Sequence, residues 1–153
     1  MEDCRWWRAA VAFAVLLTVG LGASAWAKEL TLEELKERVA GASVGDRPAL
    51  CIEIAERQEE AADRLYVAGD VDKAQAALGD VASFSELARD YAIQSHKHEK
   101  QSEIAIRKMA RKLSNLKHDL LREDQKQIQD TIDRLQKIRD DLLAAMFPNG
   151  VKK

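Results

Sequence analysis

His96, Glu99 and Glu103 are the nearest approach to a chemical site in the sequence. At i, i+3 and i+7 they share one face of a helix, and an imidazole beside two carboxylates suits Zn²⁺ or Cu²⁺. Three donors on one exposed helix hold a metal weakly unless a second chain completes the shell. The sequence is therefore read as carrying no metal site, with these three residues as the candidates. His98 falls on a different face, and His118 would lie ~33 Å farther along a continuous helix. Nothing resembles a nucleophile with its base: there is no Gly-x-Ser-x-Gly, no His-Glu-x-x-His and no phosphate-cradling glycine loop. No catalytic residue is assigned, no cofactor is implied, and an enzyme is not expected.

A second concentration of reactive groups is electrostatic. Residues 28–90 hold eight basic and 15 acidic side chains, whereas Lys97, Lys100, Arg107, Lys108, Arg111, Lys112 and Lys117 face only Glu99 and Glu103 in their stretch. A basic face of this kind can bind anions or nucleic acid. No aromatic side chain is interleaved to stack on bases and the net charge is −2, which argues against nucleic acid. The favoured reading is a solvated helix face whose charges complement acidic residues elsewhere in the fold.

The elements that must carry these groups are helical. The chain of 153 residues is 46% hydrophobic and 33% charged, but only 5% aromatic, with seven glycines and two prolines. That balance belongs to helical bundles, and runs of β-branched residues bounded by turns are lacking, so no sheet is expected. Residues 1–27 differ from the rest. Arg5 and Arg8 precede an apolar run from Ala9 to Ala25, and Ala25-Trp26-Ala27 offers a small-x-small cleavage site before Lys28. This is the layout of a secretory signal peptide, and it places the mature protein in the periplasm or outside the cell; membrane attachment is expected only if the signal is retained. Beyond it Cys51 is the one cysteine, flanked by Leu50, Ile52 and Ile54, and is expected to be a buried small apolar residue.

Residues 28–47 read as a short capped helix and a linker. Thr31 and Glu34 have the capping-box spacing, and Leu30 and Leu35 the hydrophobic-staple positions. A helical hairpin or bundle domain follows over 48–147, then a tail over 148–153. Its first helix runs from about Pro48 to Ala68, with Leu50, Ile54, Ala61, Leu65 and Ala68 at helical spacing, and Gly69-Asp70 makes a turn. From Asp80 to Phe147 there is neither glycine nor proline. The preferred architecture is one long helix over about 71–120, ~75 Å in length, with antiparallel hairpins folded back on each half. Gln94 to Glu103, ten residues without an apolar side chain, would form an exposed waist of that helix. Ile106, Met109, Leu113, Leu116 and Leu120 give a coiled-coil-like seam with the last helix. The alternative is a break at the waist and a compact helical bundle. The second hairpin turn is expected between Asp119 and Gln125.

Ala62, Leu65, Tyr66, Gly69-Asp70, Lys73-Ala74 and Leu78, within residues 61–81, resemble the helix–turn–helix of one tetratricopeptide-type repeat. Gln58 stands at the family's tryptophan position and no proline closes the unit near Glu86. The resemblance implies an antiparallel hairpin and no peptide-binding groove. As a whole the chain is similar to small exported all-helical bacterial proteins, a likeness that implies no mechanism. The expectation is an exported, non-enzymatic interaction or structural protein that acts through helix–helix contacts, with a protein partner or self-association and no nucleic acid. The alternative is a periplasmic stress or metal-responsive binder that shields clients or captures metal weakly.

Overall fold

The computed structural model describes residues 30–148, all of the expected domain but not the signal-peptide segment 1–27 or the tail beyond Pro148, which lie outside the described residues. Within them the chain is all-α. Five helices follow one another: α1 (Leu32–Gly41), α2 (Arg47–Val67), α3 (Val71–Ser95), α4 (Glu99–Asp119) and α5 (Arg122–Met146).

The capping box at the start of α1 is formed. Thr31 Oγ1 accepts from the Glu34 amide at 3.2 Å, and the Thr31 amide donates to Glu34 Oε2 at 2.7 Å. Ten residues are too few for a free helix, and α1 docks through Leu35 and Val39 onto Cys51, Ile54 and Ala88. Arg47 fastens its far end: Nε donates to Ala42 O at 3.1 Å, and the guanidinium lies 5.0 Å from the Tyr91 ring centre. Cys51 is fully buried, and loss of water around the thiolate pushes its thiol up to about 11.

α2 ends in a left-handed Gly69 (φ 79°). Asp70 N–H donates to Leu65 O and Gly69 N–H to Tyr66 O, which turns the chain tightly into α3. The α2–α3 interface is made largely of short side chains: Ala55 and Ala62 face a row that includes Ala74, Ala77, Ala88 and Ala92, with Leu78 and Val81 between. Small residues let two helix backbones approach closely. The α4–α5 pair is built from longer ones, Ile106, Met109 and Leu113 against Ile128, Ile132, Leu135, Ile138 and Leu142.

The expected long helix is not formed. Between α3 and α4 the chain breaks over three residues, with His96 (φ 53°) and His98 (φ 62°) both left-handed. The compact bundle is the architecture found. The cause is burial. A straight helix would hold each apolar seam in a shallow two-helix layer, whereas the fold joins α2, α3, α4 and α5 around one core. A left-handed L-residue costs ~1–2 kcal/mol. Fully burying one large aliphatic side chain yields ~1.5–3 kcal/mol, and the core holds many. The waist also differs from expectation at its end: Ser102 and Glu103 are buried.

The second turn lies where expected but is only two residues long, Leu120 and Leu121, with Gln125 Nε2 donating to Leu120 O at 2.8 Å. α2 packs on α3, α4 on α5, α3 on α5 and α2 on α4, with α1 against α2 and a smaller contact of α3 with α4, while the α2 and α5 backbones stay diagonally apart across the core. Two antiparallel hairpins thus lie face to face. The Gly69 and Leu120 turns share one end of the bundle. The break at His96–His98 lies at the other, where the Lys97 side chain crosses Gly45 of the α1–α2 linker.

Leu113 is fully enclosed. Leu113→Ala should cost about 3 kcal/mol in urea unfolding at a fixed protein concentration, and a loss below about 1 kcal/mol would mean that the two hairpins are not packed.

Candidate functional site on the outer face of α4 and α5

The break takes His96 off the helix that carries Glu99 and Glu103. His96 lies outside both helices with its side chain 85% exposed, and its Nδ1 is 3.5 Å from Glu99 Oε1. Glu103 turns inward: Oε1 accepts from Arg139 Nε of α5 at 2.8 Å, with Arg107 Nε at 3.8 Å. The shared face that their spacing implied requires a helix running through His96, and that helix ends at Ser95. Among the described residues no group of three or more His, Cys, Asp or Glu side chains is placed to hold a metal.

The basic residues divide into two sets. Lys112 leans toward α2, where its Nζ bonds Glu59 Oε2 at 2.8 Å, and Lys117 Nζ bonds Gln129 Oε1 of α5 at 2.6 Å. Lys112 thus meets an acidic partner within the fold, as the favoured reading expected, whereas the partner of Lys117 is a neutral amide. Glu59 is almost fully buried, and desolvation pushes its carboxyl up despite the opposing pull of the Lys112 ammonium. The hydrogen bond that Lys112 donates to Glu59 in turn holds its ammonium above the ordinary lysine value.

The other set stays outside. Lys100, Ile104, Arg107, Lys108 and Arg111 follow one another along the solvent stripe of α4, and Ile104 is 43% exposed. Among the described residues Lys108 and Arg111 have no carboxylate partner. Beside this stripe a groove of about 270 Å³ runs between α4 and α5. Ile106, Ala110, Ile132 and Leu135 form its floor, and Arg107, Arg111 and Arg139 with Ser114 and Gln136 form its walls. Arg139 is fixed by Glu103, so one wall is ordered before anything binds. A second hollow of about 380 Å³ continues over Ile104, Arg107, Lys108 and Arg111.

An apolar floor between guanidinium walls can accept a ligand that is apolar on one side and anionic at its edges. Arginine suits this role because it binds carboxylates through two parallel N–H donors and keeps its charge at any physiological pH. The sequence shows Arg107 and Arg111 at i, i+4, yet Arg139 joins them only through the register of α5 on α4. No family model, curated protein or solved structure matches the chain.

The Glu59–Lys112 pair allows a sharp test. Glu59 is buried while the Lys112 side chain is 42% exposed, so removing the ammonium strands a partly solvent-relieved carboxylate, and Lys112→Met should cost about 1–3 kcal/mol near neutral pH. Without the ammonium the Glu59 carboxyl rises further, and its protonated form is the one the fold accepts. Stability relative to wild type should therefore recover as pH falls through that raised value, and be lost as pH rises through it. Urea unfolding of both proteins at about pH 5 and about pH 8 reads the difference, and a pH-independent gap would contradict it.

Proposed function

We propose that this is an exported, non-enzymatic interaction protein that works through helix–helix contacts, and that the α4–α5 groove is its docking face for an acidic amphipathic helix of a partner protein. The observation that carries the reading is the apolar floor flanked by Arg107, Arg111 and Arg139, continuous with the exposed Ile104 and with Lys108 and Arg111 unpaired by carboxylates among the described residues. From Ile106 to Ser114 the groove follows two turns of α4, ~12 Å, which matches the repeat of apolar anchors on a docking helix. Acidic residues beside those anchors would meet the guanidinium walls, giving specificity and speed of encounter more than bulk affinity.

The probe is a helical peptide with leucine at i, i+3, i+4 and i+7 and glutamate along both flanks, with a lysine-flanked copy as control. Fluorescence anisotropy should show binding of the acidic peptide that weakens with added salt. Arg111→Glu together with Ile104→Asp should reduce the affinity by about tenfold or more, one lost charge-assisted contact being enough for that. Equal binding of the lysine-flanked peptide, or retained binding in the double variant, would overturn the assignment. So would binding to anionic phospholipid vesicles without binding to the peptide, which would make this face a membrane surface.

Export rests on the apolar run and the Ala25-Trp26-Ala27 site of the sequence. Intact mass of the exported fraction should give a chain beginning at Lys28. A full-length product held in the membrane would contradict it.

A further inference from the structure

The three-residue break between α3 and α4 is at odds with its own sequence. No glycine or proline lies between Asp80 and Phe147, yet two histidines at the break hold a left-handed backbone, which histidine visits more often than most L-residues but still at a cost. The helical ladder is replaced there by a side chain: Ser95 Oγ donates to Tyr91 O at 2.7 Å and accepts the Lys97 amide at 3.3 Å. Nothing in the backbone of residues 95–99 forbids a continuous helix. What holds the break is the packing of the α4–α5 hairpin against α2 and α3.

That packing does not require both hairpins to come from one chain. We propose that the protein exchanges its α4–α5 hairpin with a second copy, the break at His96–His98 straightening into a single helix from Val71 to Asp119. In the exchanged dimer each α4–α5 hairpin covers the α2–α3 hairpin of the other copy. The core around Leu78, Val81, Ile106, Leu113 and Leu135 is rebuilt with the same partners, and so are the Glu59–Lys112 and Arg89–Asp141 ion pairs. The dimer gains the helical hydrogen bonds at the break and is relieved of the left-handed conformation of four residues, two in each chain. The monomer keeps the advantage of not having to find a partner, so protein concentration sets the balance. A short hinge under strain between two packed units is the arrangement that favours exchange.

Backbone preference at the hinge gives the first arm of the test. Glycine accepts the left-handed conformation freely and weakens a helix, while alanine does the reverse. His96→Ala/His98→Ala should dimerise with a dissociation constant at least about a hundredfold below that of His96→Gly/His98→Gly, wild type falling between them. Analytical ultracentrifugation of the full chain from micromolar to millimolar concentration reads this. Should the alanine variant fail to fold, the comparison of wild type with the glycine variant carries the same sign.

The second arm separates exchange from a dimer made by surface contact. In a Cys4→Ser background, Asp72→Cys and His118→Cys put spin labels at exposed positions near the start of α3 and the end of α4. Both lie at the same end of the bundle, and buried Cys51 stays unlabelled under native conditions. With labelled chains diluted in unlabelled ones, electron–electron distance measurement on the dimer should lose the short separation and show one of ~69 Å, the rise of a continuous helix from position 72 to position 118. A dimer that keeps the short separation within one chain would overturn the proposal. So would equal dissociation constants for the alanine and glycine variants.

Discussion

The structure depends on one act of burial, the closure of the α4–α5 hairpin over the α2–α3 hairpin. Neither hairpin is self-sufficient. α2 and α3 meet through alanines, which bring backbones together but remove little apolar surface from water. α4 and α5 carry the larger side chains, and Ile106, Met109, Leu113, Leu135 and Leu142 reach full or nearly full burial only with the other pair against them. The alanine-rich side supplies a smooth platform and the leucine- and isoleucine-rich side fills the space above it.

This division explains the places where polar groups enter the core. Glu59 reaches in from α2 and meets Lys112 of α4, and Glu103 of α4 meets Arg139 of α5. Outside the core, Arg89 pairs with Asp141 and Arg134 with Glu86 between α3 and α5. Pairs at the half-exposed rim add little to stability, median values being ~0–1 kcal/mol. The buried carboxylate of Glu59 acts differently: a bundle slipped along α4 would leave it without its ammonium, so it penalises wrong registers more than it strengthens the right one.

The same closure shapes the outer groove between α4 and α5. Folding α4 back turns its apolar seam inward and leaves its basic stripe outward, beside a groove that α5 completes with Arg139. The cost of closure sits at the start of α4, in the left-handed histidines. Groove and hinge are thus carried by one helix, and straightening the hinge would move the whole groove with it.

Much of this was written into the sequence. Helix content, the Thr31–Glu34 cap, the Gly69-Asp70 turn, the burial of Cys51 and the apolar seams of α4 and α5 are consequences of local spacing and side-chain chemistry, which act over a few residues and so can be read from them. The break at His96–His98 could not be read in this way, since no glycine or proline marks it and the force that opens it comes from side chains distant in sequence. Losing that helix took His96 off the face of Glu99 and Glu103, and Glu103 is engaged by Arg139 instead. The candidate site was half legible: Arg107 and Arg111 show their shared face by spacing, but Arg139 joins them only when α5 takes its register on α4. That register is fixed by how the two hairpins fill the space between them, which belongs to the tertiary structure and to no single segment of the chain.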